Sequence, residues 1–203
     1  IALENVEHAV RVKVWDDEVA AYDMGDMAAQ WFSDFLQVKV RLVRFDPAQQ
    51  RLSSKKWTGE VDAPNQFADG FPVLVLSQAS LDGLNDRLMA AGKQPVGIER
   101  FRPNIVLSGL EAHDEDRLET LHIATADGEA QLKGVKPCPR CPIPNIDPAT
   151  AESSPDVSDA MQTYRSNPVV GGALSFGMNA IVLHGVEHVL REGQTVQANF
   201  RFE

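Results

Sequence analysis

The alternation in "AVRVKVW", where Val10, Val12 and Val14 are interleaved with Arg11 and Lys13, predicts a strand with one buried face. "GDMAAQWFSDFLQ" changes period: Ala28, Trp31, Phe32, Phe35 and Leu36 fall on one helical stripe, with Asp26 near the N-terminus of the helix. "VKVRLVRF" returns to alternation as a second strand. Residues 46–70, "DPAQQRLSSKKWTGEVDAPNQFADG", hold no sustained period and many turn formers, so they read as a long surface excursion and a candidate lid or site loop.

"FPVLVLS" is a short, continuous apolar strand that runs into "SLDGLNDRLMAAG". In that helix Ser77 or Ser80 caps the start, Leu81, Leu84 and Leu88 form the buried stripe, and Gly92 supplies a left-handed residue at the end. "RFRPNIVLSG" predicts a strand over residues 104–108, entered through Pro103, which favours an extended Arg102. "LETLHIATADGEAQLKGV" reads as a hairpin turning at Asp127-Gly128. The segment after it is too rich in proline for a helix or a central strand. Residues 155–166 suit a short helix with Pro155 in its first turn, and "NAIVLHG" and "GQTVQANFRF" close the chain as strands, with Val196, Ala198, Phe200 and Phe202 on one face of the last. Strands outnumber helices and no βαβ alternation runs through the chain, so the expected fold is mostly β, of the α+β class or a β-barrel, rather than a doubly wound sheet.

A chain of 203 residues can bury a full core without disulfides or a structural metal. Its net charge of −10 repels phosphate backbones and the anionic face of a membrane, which argues against nucleic-acid binding. No apolar run approaches the roughly 20 residues of a membrane span, and no signal-peptide pattern opens the chain, so a cytoplasmic location is expected. Ile1 is no translation start, which is expected of a fragment or a processed chain.

Candidate chemistry gathers in "GVKPCPRCPIPNIDPAT", residues 134–150, which holds the only two cysteines, Cys138 and Cys141. Three readings compete with a plain buried cysteine in a proline-stiffened loop. With His184 and His188 of "HGVEH" the pair formally offers a tetrahedral zinc set, although 42 residues separate Cys141 from His184 where a zinc finger has about 12 to 15. A redox dithiol needs a helix N-terminus that Pro142 and Pro144 hinder. A single thiolate beside Arg140 suits a soft or high-valent metal centre, and the arginine suits the phosphate of a cofactor.

"FADGFPVLVLSQASLDGLNDRL", "RFRPNIVLSG", "KPCPRCPIPNIDP" and "LSFGMNAIVLHG", in that order and spacing, resemble the MOSC domain family (molybdenum cofactor sulfurase C-terminal domain), in the branch of the mitochondrial amidoxime-reducing component and its bacterial relatives. The resemblance covers residues 66–203, and residues 4–45 are similar to the end of the β-barrel-like region that precedes MOSC in this branch. It divides the chain into a partial N-terminal MOSC-associated region, 1–65, and a MOSC domain, 66–203, with a twisted β-barrel and a few peripheral helices.

The same resemblance implies a molybdenum–molybdopterin cofactor, with Cys141 as the protein ligand to molybdenum at the catalytic centre. It further implies Arg140, Arg102 and Asn104 as cofactor-binding residues, and Asp69, Gly70 and Phe71 as a short cofactor-contacting loop. Asp69 keeps the side chain of the eukaryotic members, whereas Gly70 and Phe71 depart from their Thr-Ser and are left with backbone contacts. Asp147 reads as a turn or supporting residue, since Asp-Pro is first a turn former, with catalytic proton donation as the alternative. The implied activity is reduction of small N-hydroxylated compounds such as amidoximes, hydroxylamines and N-hydroxy bases, independent of pyridoxal phosphate. Some bacterial relatives continue into a ferredoxin domain, but two cysteines leave no iron-sulfur cluster in this chain, so electrons would come from a separate flavin or iron-sulfur protein. The rival expectation is a module that binds or carries the cofactor without turnover.

Overall fold

The computed structural model describes residues 8–202, which fall into two compact units: residues 8–53 with 64–70, and residues 54–63 with 71–202. Residues 4–7 of the stretch likened to the family's N-terminal region lie outside the described residues.

In the first unit β1 (His8–Val14), β2 (Asp17–Asp23) and β3 (Val43–Phe45) form an antiparallel sheet in that order. The valines of β1 are half-buried and Arg11 and Lys13 exposed, as the alternation requires. "VKVRLVRF" becomes a strand only at its end. Arg41 turns instead to the carboxylates of Asp23 and Asp26, with Nη1 3.0 Å from Asp26 Oδ1, and Leu42 O accepts the Met24 N–H at 3.0 Å. These local bonds satisfy backbone and charge without a ladder.

Helix α1 (Asp26–Leu36) forms where its periodicity places it, but the face it buries differs. Ala28 and Ala29 are buried and Phe32 and Ser33 half-buried, whereas Trp31, Phe35 and Leu36 are exposed. Ser33 Oγ bonds both the N–H and the carbonyl of Val40, which fixes the chain's exit on the small-residue side. Trp31 and Phe35 then stack on one another, centroids 5.7 Å apart. Periodicity reports that a helix has an apolar stripe, not that the stripe meets a partner.

The second unit adds α2 (Lys55–Thr58), β4 (Val73–Ser77), α3 (Gln78–Ala90), β5 (Ile105–Leu107), β6 (Leu118–Thr125), β7 (Gly128–Pro139), α4 (Asp156–Gln162), β8 (Ser166–Asn167), β9 (Ala173–His184) and β10 (Val196–Phe200). Its curled sheet runs β10-β6-β7-β9-β4-β5, with β8 beside β9. The mostly β, α+β expectation holds. One parallel pair, β4 with β5 through α3, is the single βαβ unit in it.

Ser77 caps α3, accepting from Ser80 N at 3.1 Å, and Gly92 ends it with φ +71°. Leu81, Leu84 and Leu88 are buried as expected, in a cluster with Leu76, Phe101, Val157, Met161 and Phe176 on one side of the sheet. Val75, Leu118, Leu121, Leu132 and Met178 anchor a second cluster. Phe176 and Met178 should share a face in a regular strand. They fall in different clusters because Gly177 between them has φ +85°; a Cβ there would lie 2.8 Å from Val75 O.

The β6–β7 hairpin forms, with its two-residue turn at Ala126-Asp127 and Gly128 already pairing Thr125, one position earlier than expected. Strand β7 continues through Pro137, Cys138 and Pro139, so the proline segment, neither helix nor central strand as expected, is an edge strand. The pairing with β6 begins at Lys133, so beyond it β7 is flanked by β9 alone, through a ladder broken by two irregularities. Proline is tolerated at such an edge because no second neighbour needs its missing N–H.

Candidate functional site

Two arginines tie "RFRPN" to the cysteine loop. A 3₁₀ turn over Ile98–Phe101 buries Phe101 completely against Phe176, ring centroids 4.5 Å apart. Arg140 Nη2 donates to Phe101 O at 2.9 Å and its guanidinium lies 5.5 Å from the Phe101 ring centroid. Its Nη1 donates to Cys138 Sγ at 3.2 Å, and its own N–H to Leu174 O at 2.8 Å. Arg100, from the same turn, reaches the other way, with Nη2 2.9 Å from Asp147 Oδ2. Arg102 and Cys141 each lie one residue beyond the Arg140–Phe101 clasp.

Arg102 is not extended. It closes the 3₁₀ turn at φ 54°, ψ 47°, its N–H donating to Glu99 O, and the turn prevails over the preference imposed by Pro103. A left-handed arginine costs on the order of 1 kcal/mol or more and persists only where its surroundings hold it, which is a mark of functional segments. Its side chain is exposed and has no hydrogen-bond or ion-pair partner among the described residues. Cys141 is an exposed free thiol, and Cys138 a half-buried one.

Asn104 is committed to the sheet by its side chain and backbone together. Leu74 N donates to its Oδ1 at 2.8 Å while its own N–H donates to Leu74 O at 2.9 Å. The side chain thereby begins the β4–β5 ladder, and its Nδ2 remains for another acceptor. Asn104 also borders two clefts, one of about 580 Å³ between β5 and residues 190–196 and one of about 190 Å³ lined by Val73, Leu132 and His188. Neither is lined by the cysteines.

Asp147 is a turn residue, as its sequence suggests. Oδ1 accepts the N–H groups of Ala149 and Thr150 at 2.8 and 3.3 Å. The Ala149 N–H, with Thr150 and Arg100 adding to it, holds this carboxyl below the usual carboxylate range, so it is ionised at neutral pH and has no proton to give.

Asp69 and Gly70 belong to the first unit and are fixed there by Arg51, which is 8% exposed. Arg51 pairs with Asp17 at 2.7 Å and donates to the carbonyls of Gln66, Ala68 and Asp69. Trp15 Nε1 donates to Asp69 Oδ1 at 3.2 Å, and Gly70 offers its carbonyl to Asn65 Nδ2. Phe71 lies in the second unit, where its ring is 5.8 Å from Lys136 Nζ. Of the seven residues singled out, Arg140 and Cys141 are neighbours in the chain, Arg102 follows the Phe101 that Arg140 binds, and Asn104, two residues further on, is bonded to Leu74. Arg51 and Arg100, which hold the loops, are not singled out by sequence: Arg51 is one arginine in a polar stretch, and Arg100 opens the quoted motif without any feature that assigns it a part.

The zinc set does not assemble. Gln131 of β7 pairs with His184, while Pro139 pairs with Ser175 near the other end of the same ladder. Seven strand residues at about 3.3 Å separate Gln131 from Cys138, so the histidines lie roughly 20 Å from the thiols along the strand. Among the described residues no group of three or more His, Cys, Asp or Glu side chains is placed to hold a metal.

A MOSC-type half-barrel with an arginine-clasped C-x-R-C loop defines the class, and the MOSC domain family matches residues 62–198. The chain belongs to the MOSC domain family. It is 34% identical over 157 residues to mitochondrial amidoxime reducing component 2 of Macaca fascicularis, covering 75% of this chain and 44% of that protein. It is 38% identical over 152 residues to mitochondrial amidoxime-reducing component 1 of Mus musculus, covering 73% and 42%. The component 1 of Danio rerio is 32% identical over 174 residues, covering 80% and 51%. The chain spans about half the length of the curated relatives it matches.

Proposed function

We propose that this chain holds a molybdenum–molybdopterin cofactor and reduces N-hydroxylated compounds, amidoximes among them, with electrons delivered by a separate protein. The observation that carries the reading is the pairing of an exposed, uncommitted thiol with an uncommitted cation. Cys141 and Arg102 flank a clasp that holds both segments still, and a third polar group, Arg140 Nε, is buried beside them without a partner. Buried donors are normally satisfied, so an orphaned one marks a place where an acceptor is expected. The curated relatives' names support the substrate class.

The residues present fit the group. Cys141 would supply one thiolate to the metal, a soft donor for a soft or high-valent centre. Arg102 would meet phosphate with a planar two-pronged donor, and Asn104 Nδ2 would donate to a neighbouring acceptor. Arg140 commits both terminal nitrogens inward, so its part is chiefly to hold Phe101, and with it Arg102, in register with Cys141. Asp147 keeps Arg100 and the 3₁₀ turn after Pro142 in place. The cofactor, when bound, supplies the two-electron reduction of the N–O bond.

The test is reduction of benzamidoxime by the purified chain with reduced benzyl viologen as electron source. Turnover should be abolished in Cys141→Ser and largely retained in Cys138→Ser, since a serine oxygen still accepts from Arg140. Equal loss in both would overturn the assignment of Cys141. Cofactor retained without turnover in the parent chain would support a carrier in place of a reductase.

A further inference from the structure

Lys136 has no assigned role, yet the strand is distorted in a way that aims it. Along β7, Ala130, Leu132 and Gly134 are buried in alternation, and regular pairing would place Lys136 in the same row. The ladder skips instead, from Gly134 opposite Ala180 to Lys136 opposite Asn179, with Val135 as the extra residue. A bulge of this kind re-aims the side chains that follow it. Pro137 takes the buried side, and Lys136 and Cys138 flank it on the other, the side where Cys138 meets Arg140.

There Lys136 Nζ lies 5.2 Å from the ring centroid of Trp57 and 5.8 Å from that of Phe71. Lys56 Nζ lies 5.3 Å from the same Trp57 ring. Neither lysine has a carboxylate within ion-pair distance among the described residues, although the chain carries a net charge of −10. Two unpaired ammonium groups on one indole make a local positive site in an acidic protein. A ring face orients an ammonium but leaves its hydrogen bonds unmade. The unmade bonds and the like charges call for an oxyanion.

We propose that Lys136 is an anion anchor of this site, binding a phosphate monoester, that of the cofactor proposed above, while Trp57 and Phe71 hold the ammonium in position. The inference rests on the cofactor reading and assigns Phe71 a positioning part through its ring rather than a backbone contact.

Lys136→Met and Lys136→Arg test it in the full chain, purified from cells that make the cofactor. Molybdenum per chain by elemental analysis and pterin by fluorescence of its oxidised product report loading, and thermal melting reports folding. Methionine keeps the apolar stem on both rings and removes the charge. Loss of one charge-assisted contact lowers affinity on the order of tenfold. Lys136→Met should therefore lose most of its molybdenum and pterin on dialysis while melting like the parent, and Lys136→Arg should keep both. Full retention by Lys136→Met in a loaded parent overturns this proposal alone; a parent that carries no molybdenum overturns the cofactor reading and this proposal with it. Equal loss in both variants together with a lower melting temperature would show a packing role and overturn it. So would stabilisation of the cofactor-free chain by inorganic phosphate that disappears in Lys136→Met with loading unchanged, which would assign the site to free phosphate.

Discussion

Replacing Arg140 with methionine isolates the clasp on which the site depends. The change removes the donor to the carbonyl of Phe101, a residue with no exposed surface. An acceptor left unpaired in such a place costs about 1–3 kcal/mol. The lost stacking of guanidinium on the Phe101 ring adds about 1 kcal/mol, while methionine preserves most of the apolar contact. The sum, roughly 2–4 kcal/mol, corresponds in a chain of this size to a fall of roughly 5–15 °C in melting temperature. Thermal unfolding of the cofactor-free chain followed by circular dichroism measures it, and hydrogen exchange should show amides of residues 98–104 losing protection. Arg140→Lys should fall between, since an ammonium keeps the charge but cannot hold two acceptors in a fixed fork. If Arg140→Met melts within about 1 °C of the parent with unchanged protection over 98–104, the clasp is not what orders this segment.

Two further expectations follow from buried polar groups and from the thiols. His113 is held at φ 70° near Tyr164 and Phe176; burial, with Arg165 and Arg87 facing it, pushes its pKa down to about 4. It is therefore neutral in the folded chain and protonates in the unfolded one near pH 6.5, so its contribution is complete above that pH and is lost as pH falls toward 4. The full shift is worth about 3 kcal/mol. Glu115 and Asp116, raised by burial, act in the opposite direction on acidification, so the measurement is the difference between parent and His113→Phe melting curves from pH 7 to 4.5; parallel curves would contradict it. For the thiols, Cys138→Ser should melt close to the parent, because Arg140 Nη1 keeps an oxygen acceptor, and a fall as large as that of Arg140→Met would show that the sulfur itself is needed.

Much of the second unit was legible because short-range physics fixes it. Ser77, the leucine stripe of α3 and Gly92 describe a helix from cap to end, and each does what its residue type favours. The features that failed are those in which a distant partner outweighs a local preference. Arg102 is left-handed because a turn, clasped by an arginine 38 residues away, must close there, whatever Pro103 prefers. The proline segment kept to its expected exclusion from helix and central strand, and it is an edge strand only because β6 stops pairing at Lys133, a fact of sheet topology. The exposed stripe of α1 shows the converse limit, since a strong period does not say which face is covered. At the site, Cys141 and Arg140 stood out through residue type and motif, whereas the parts of Arg51, and of Arg100 and Lys136 within their motifs, emerge only from what they touch.

A loop clasped by Arg140 and carrying a metal through the single thiolate of Cys141 has one direct consequence for metal content. Elemental analysis of the parent chain and of Cys141→Ser, expressed where the cofactor is made, tests it most directly. Molybdenum should approach one atom per chain in the parent and be almost completely lost in Cys141→Ser, with zinc in neither. Stoichiometric zinc without molybdenum, or molybdenum unchanged in Cys141→Ser, would contradict it.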